Sequence, residues 1–268
     1  SDNFGVRGDR PSHPELLDWL AAEFVESGWS LKSLHRQILL SSTWRQSSRN
    51  WMNAADSRPT PDIVDPENRL LWAMSVRRLD AESIRDAILA VSGRLDRTPG
   101  GSETGEFLFD RGEVIDGKRP FFRPNRVAFD DPFYSESRRR SIYLPVVRNA
   151  VPDLMALFDG ADPNGIVTRR GDSTVPSQSL LLMNHPFVLE SSRSLAKRIL
   201  AKSGGVEDRL TFAWQFALQR EPMAAELKRT GDFLDRFIEQ SSEKSAEEKE
   251  AAAWTALAQT LFCRNEFL

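Results

Sequence analysis

Cysteine is almost absent from this chain of 268 residues. Cys263 stands alone, which excludes an intrachain disulfide, a thiolate zinc cluster and a thiol-held iron–sulfur centre. For the same reason the haem-attachment pattern C-x-x-C-H cannot be written. Histidine is nearly as scarce: His13, His35 and His185 are the full set, and none falls at a metal-ligand spacing. No apolar run approaches the length of a membrane span. Nor does either sign of charge dominate, with 36 Lys+Arg against 39 Asp+Glu for a net charge of −3. A dedicated nucleic-acid binder would be basic overall. The glycine-rich phosphate loops and the G-x-S-x-G nucleophile turn are missing too. What remains is an ordinary soluble globular composition, 40% hydrophobic and 28% charged, in which Arg outnumbers Lys 29 to 7. That bias suits fixed, bidentate contacts.

Helical periodicity fills residues 1–95. Ser12-His13-Pro14-Glu15 has the form of a capping box with Ser12 as N-cap, followed by Leu16, Trp19, Leu20 and Phe24 at helical spacing. Ser30 caps a second helix through Leu31, Leu34, Ile38 and Leu39. Asp65-Pro66 opens a third through Leu70, Leu71 and Met74, and Asp80 a fourth through Ile84, Ala87, Ile88 and Val91. Residues 96–150 break the pattern with repeated glycines and short runs such as Glu106-Phe107-Leu108-Phe109. Within this insert, Ser141 to Val147 alternates with period two, predicting an edge strand or short hairpin that Pro145 keeps out of a sheet centre. Helices return over 151–268. A short one precedes Asp159, and another carries Leu180 to Met183. The last spans are predicted near 186–202, 206–219 and 222–239, with a final helix capped by Ser245 and Glu248 and burying Trp254, Leu257, Leu261 and Phe262. Short connections imply antiparallel packing. The expected fold is a single, mainly α, bundle-like domain over 1–268, with a loop-rich insert that carries a short β element.

The strongest chemical signal lies in the insert. From Lys118 to Arg148 eight basic residues meet three acids, a local charge of +5 inside a chain of −3, with Phe121, Phe122, Phe129, Phe133, Tyr134 and Tyr143 interleaved. Arg169 and Arg170 add a pair in the next long loop. The candidate anion site is therefore Arg123, Arg126, Arg139, Arg140, Arg169 and Arg170, guanidinium forks that could hold a sulfate, phosphate or carboxylate. The competing reading is a set of Arg–carboxylate pairs that pin a long loop to the helices. If Ile142 faces the core, Arg140 on the same side of the strand must be paired.

Carboxylate pairs for glycoside-type chemistry can be nominated at Asp130-Asp131, Asp159 with Asp162, and Glu82 with Asp86. Turn-forming aspartates are their default explanation. His13 and His185 precede prolines at helix starts, where capping accounts for them. His35 borders an apolar stripe and reads as partly buried. The seven tryptophans mostly fall in or beside helical stripes and read as core, with Trp44 and Trp51 as the exceptions. Ser194-x-x-Lys197 and Ser241-x-x-Lys244 lack the companion motifs of acyl-serine enzymes.

Several ordered segments resemble the DUF1553 family, also called PSD1. They are Asp2 to Ala21, Arg77 to Ala87, Arg139 to Leu144, Ser173 to Val188 and Asn265 to Leu268. The resemblance implies a large planctomycetal protein that is exported, with a DUF1549-like domain and often a cytochrome c-like domain as neighbours on the same polypeptide. It implies that the upstream part of the domain lies outside this chain, leaving an apolar face exposed near residue 1. It assigns no catalytic residues. Any haem belongs to a partner domain, and no cofactor or metal is expected here. The function expected on these grounds is a non-catalytic interaction or scaffold domain whose Arg-rich insert binds an anionic ligand or polysaccharide. The alternatives are a hydrolase acting on anionic carbohydrate and an accessory to electron transfer by the cytochrome c-like domain.

Overall fold

The computed structural model describes residues 6, 8–48, 60–100, 108–110, 113–116, 119–120, 137–144, 146, 151–165, 167, 170–243 and 245–268. The protein is mainly α and divides into two compact units, Ser1–Arg78 and Leu79–Leu268.

The first unit is built on an α-helical pair, α1 (Pro14–Glu26) and α2 (Leu31–Leu40). Chain reversal between them uses two consecutive left-handed residues, Gly28 and Trp29, so the glycine is the natural occupant of the first. The Trp29 ring then turns back edge-on against Phe24, 5.3 Å between centroids. Gln37 ties the pair together by donating to Glu23 Oε1 at 2.9 Å. Ser30 caps α2 as its sequence predicts, accepting from the Ser33 amide. At α1 the expected box does not form. His13 occupies the N-cap without a side-chain bond to the helix amides, and the Ser12 hydroxyl pairs instead with His13 Nδ1 at 3.0 Å. The third predicted helix is also displaced. Helix α3 is the short Pro61–Val64, and Asp65 builds a turn by accepting from the amides of Arg69 and Leu70 at 3.0 and 2.7 Å. A side chain that offers the backbone two acceptors competes directly with helix formation.

The second unit contains α4 (Ala81–Ser92), a short antiparallel meander β1 (Leu108–Asp110), β2 (Glu113–Asp116) and β3 (Arg119–Pro120), then α5 (Asp153–Leu157), α6 (Pro176–Asn184), α7 (Pro186–Leu200), α8 (Val206–Leu218), α9 (Ala224–Gln240) and α10 (Ala246–Phe262). In the meander, Phe109 pairs with Val114 and Ile115 with Pro120. Helix α7 is the centre of the bundle, packed on α10, α4 and α8, while α9 packs on α10. Ile84, Ile88 and Leu89 of α4, Val188, Leu195 and Ile199 of α7, and Trp254, Leu261 and Phe262 of α10 are fully enclosed. Ile84, Ile88, Trp254, Leu261 and Phe262 are positions that the apolar periodicity marks, and each buried aliphatic contributes about 2–3 kcal/mol.

Polar side chains close the helix ends. Ser245 and Glu248 form the predicted capping box of α10, with bonds of 3.1 and 3.0 Å. His185 ends α6 and caps α7, its Nδ1 accepting from the Phe187 amide at 3.2 Å. The guanidinium of Arg198 donates to the carbonyls of Ala90 and Val91 at the C-terminus of α4. There the left-handed Gly93 leaves room for it; a Cβ would come within 2.9 Å of Arg198 Cδ. Among the described residues no helix is long and apolar enough to cross a membrane.

Candidate functional site

On α4, Glu82 lies one helical turn before Arg85 and Asp86; the last two receive the insert, and Glu82 receives the loop after α5. Arg85 is buried, 3% exposed, and donates to three acceptors in one segment of the insert, residues 137–141. Its Nη1 reaches the Arg139 carbonyl at 2.9 Å and Ser141 Oγ at 3.3 Å, and its Nη2 the Ser137 carbonyl at 2.8 Å. Asp86 accepts from the Ser141 amide and hydroxyl at 2.7 and 2.8 Å. Ser141 is thus captured by α4, and Ser141–Tyr143 winds into a 3₁₀ turn where alternation predicts a strand. Ile142 consequently points to solvent, 74% exposed.

Three of the six candidate arginines lie in the described residues. Arg139 is buried and donates through Nη2 to the carbonyls of Thr98, at 2.9 Å, and Gly100. Its guanidinium stacks over the Tyr143 ring at 4.3 Å, and the Tyr143 hydroxyl accepts from the Gly100 amide at 3.1 Å. Arg140 is 57% exposed and pairs with Asp86, Nε to Oδ2 at 3.5 Å. Arg170 makes a two-bond fork with Glu82, Nη2 to Oε1 at 3.0 Å and Nη1 to Oε2. Arg140 and Arg170 hold loop to helix α4, whereas Arg139 ties one loop to another. Arg123, Arg126 and Arg169 lie outside the described residues, as do Asp130 and Asp131.

The described carboxylates are engaged in the same way. Burial pushes the Glu82 carboxyl up, but hydrogen bonding from Arg170, with its own amide and the Arg170 charge, outweighs this and holds it below the ordinary range. Asp159 accepts from the Ser173 amide and hydroxyl at 2.8 and 2.9 Å. Asp162 accepts from the Asn164 amide at 2.8 Å, a local turn. Every described carboxyl with a resolved shift is lowered, opposite to what a general acid needs. A cleft of about 180 Å³ opens beside this cluster, lined by Glu82, Ser141, Leu144, Pro152, Met155 and Ala161. Among the described residues no group of three or more potential ligands converges to hold a metal.

Two further arginines outside the candidate set have described contacts near the end of α4. Arg94 follows the Gly93 cap and donates through Nη1 to Ser191 Oγ of α7 at 3.1 Å. The main chain of Arg138 lies beside Asp96, whose amide donates to the Arg138 carbonyl at 2.8 Å. Arg138 falls within the basic window, but Arg94 precedes it and carries no mark in the sequence.

The helical pair of the first unit differs from every other helix of comparable length. Neither α1 nor α2 has a buried residue. Leu16, Leu17, Trp19, Trp29, Leu39 and Leu40 are all exposed, Trp29 to 68%. Trp19 and Trp29 are therefore not core, and His35 is exposed on the same side of α2 as Lys32 and Arg36. By contrast Trp214 and Trp254 are buried.

Neither the curated proteins nor the solved structures contain a match to this chain. The model of the PSD1 family, described as a protein of unknown function (DUF1553), matches residues 1–234. Spanning both units, that match makes this chain a member of the DUF1553 family.

Proposed function

We propose that the chain is a non-catalytic docking domain of a larger, exported polypeptide, and that the α1–α2 pair is its docking surface. The observation that carries this reading is the pair itself: two helices of 13 and 10 residues in which no residue is fully buried. Isolated helices of that length are marginal in water and draw their stability from packing. An apolar face of this extent on a folded protein marks an interaction surface. Covering a half-exposed Leu or Trp returns about 1–2 kcal/mol each, so the side chains named above suffice for a stable interface. The occupant is a neighbouring domain of the same polypeptide. A hydrolytic role has less support, because the described candidate carboxylates Glu82, Asp86 and Asp159 are engaged by arginine, serine or backbone donors.

Co-expression of this chain with the rest of its polypeptide, as two separate fragments, tests the proposal. The fragments are expected to co-elute as a one-to-one complex, and Trp19→Glu with Leu39→Glu to abolish it while leaving the melting of the second unit unchanged. Fragments that elute separately, or a complex indifferent to both substitutions, would refute it.

A further inference from the structure

We propose that the surface covering α1 and α2 carries charge in a fixed order, with acidic side chains where it meets α2 and basic ones where it meets α1, around an apolar centre. The inference rests on the docking reading above and names the chemistry of its partner. Helix α1 holds four acids and no base, whereas α2 holds Lys32 and Arg36 and no acid. The exposed faces follow the same division. On α1, Glu15, Asp18 and Glu26 stand among the exposed Leu16, Trp19 and Val25. On α2, Lys32, His35 and Arg36 stand among the exposed Leu31, Leu39 and Leu40.

Uncovered, this arrangement works against the helices. Lys32 and Arg36 are one turn apart on α2, as are Glu15 and Asp18, and Glu23 and Glu26, on α1, so like charges are neighbours on each helix surface and repel. Glu26 lies in the last turn of α1 and Lys32 in the first turn of α2, each at the end where the helix dipole disfavours its charge. A solvated helix face typically alternates the two signs. Nor do the helices neutralise one another: among the described residues no ion pair joins them, and Glu23 accepts from the uncharged Gln37. A partner whose charges run in the opposite order removes all of these repulsions together. A surface of one sign would relieve one helix and burden the other. The exposed apolar side chains supply contact area, and the ordered charge sets the register in which they meet.

The two-fragment complex tests this through its dissociation constant, measured by isothermal titration at about 0.05 M and about 0.5 M ionic strength. Lys32→Glu with Arg36→Glu is expected to weaken the complex about tenfold or more at the lower ionic strength, and so is Asp18→Lys with Glu26→Lys. Both losses should shrink at the higher ionic strength, where exposed charges are screened. The changes at positions 26 and 32 put each charge at the helix end that favours it, so circular dichroism should show the helices retained. Lys228→Glu with Arg229→Glu, on α9 of the second unit, makes the same change in net charge as the α2 reversal and should leave binding unaltered. Indifference to both reversals, in a complex that Trp19→Glu with Leu39→Glu still abolishes, would overturn the ordered-charge inference and leave the docking reading standing. Tighter binding after either reversal would overturn it too, by marking a partner of one sign. If the fragments do not associate, both readings fall; dimerisation of this chain alone through the same residues would overturn the inference by assigning the face to a second copy.

Discussion

Glu226, at the start of α9, is 3% exposed and sits between two arginines. Arg220 reaches its two oxygens at 2.7 and 2.9 Å, Arg264 reaches Oε1 at 2.9 Å, and the Met223 amide donates to Oε2 at 2.9 Å. Glu266 completes the cluster by accepting from Arg220 and Arg264, which ties the C-terminus to the α8–α9 junction. Glu226→Gln preserves shape and removes the charge. Breaking a buried pair costs about 3–5 kcal/mol when the partner is stranded. Here Arg220 and Arg264 are each about one-third exposed and keep Glu266, so about 2–3 kcal/mol is expected at pH 7. Urea denaturation followed through the buried Trp214 and Trp254 measures it. The sign of the pH dependence follows from linkage. Arg220, the amide and Arg264 together hold the Glu226 carboxyl well below the usual 4.5, despite its burial. Between the folded and unfolded values the unfolded chain binds more protons, so stability falls as pH falls. The difference between parent and variant should therefore be full above about pH 5 and shrink steadily below it. A difference under about 1 kcal/mol at pH 7, or one unchanged between pH 7 and pH 3, would refute this account of the cluster.

Arg85→Met should destabilise the second unit by about 2–4 kcal/mol, since it strands the carbonyls of Ser137 and Arg139; hydrogen exchange at the Ser141 amide should rise with it, and unchanged protection would show that α4 does not hold the insert. His185→Ala should cost about 1 kcal/mol at pH 7.5, the value of an N-cap. Burial lowers the His185 pKa from 6.5, against the opposing charge of Asp153, so its contribution is full above that value and lost as pH falls through the folded value. Urea midpoints between pH 7.5 and 5 should converge for parent and variant, and parallel curves would count against the cap.

Long elements were legible in the sequence where one signal dominated. Helices α7 to α10 follow apolar periodicity, and Ser245 with Glu248 states the start of α10 without ambiguity. Misreadings cluster where a side chain competes for the backbone. At Asp65 and at Ser12 a hydrogen bond over one to five residues displaced the regular element. Ser141 shows the long-range version, since the Asp86 carboxylate, 55 residues away in the chain, takes both of its donors and curls a strand-like pattern into a turn. No periodicity measure can register a partner at that distance. The tryptophans of the first unit mislead for the opposite reason. Their spacing is helical, but an amphipathic stripe specifies that something packs there and not what does.

The excess of arginine acquires a structural meaning from these contacts. Arg85, Arg139 and Arg198 each donate to two or more backbone carbonyls, and Arg209 and Arg220 donate to one each. These carbonyls belong to irregular chain or to helix ends, where no regular ladder supplies a donor. A guanidinium presents its donors in one rigid plane and can bridge two segments of main chain. An ammonium is a compact point charge on a flexible stem and cannot hold the same pair in fixed register. A bundle with a long irregular insert has many such carbonyls to satisfy, and residues 137–141 are attached to α4 chiefly through polar contacts of this kind. An arginine in this chain is therefore a site candidate only when its donors remain unfilled, a condition that Arg139 and Arg170 fail.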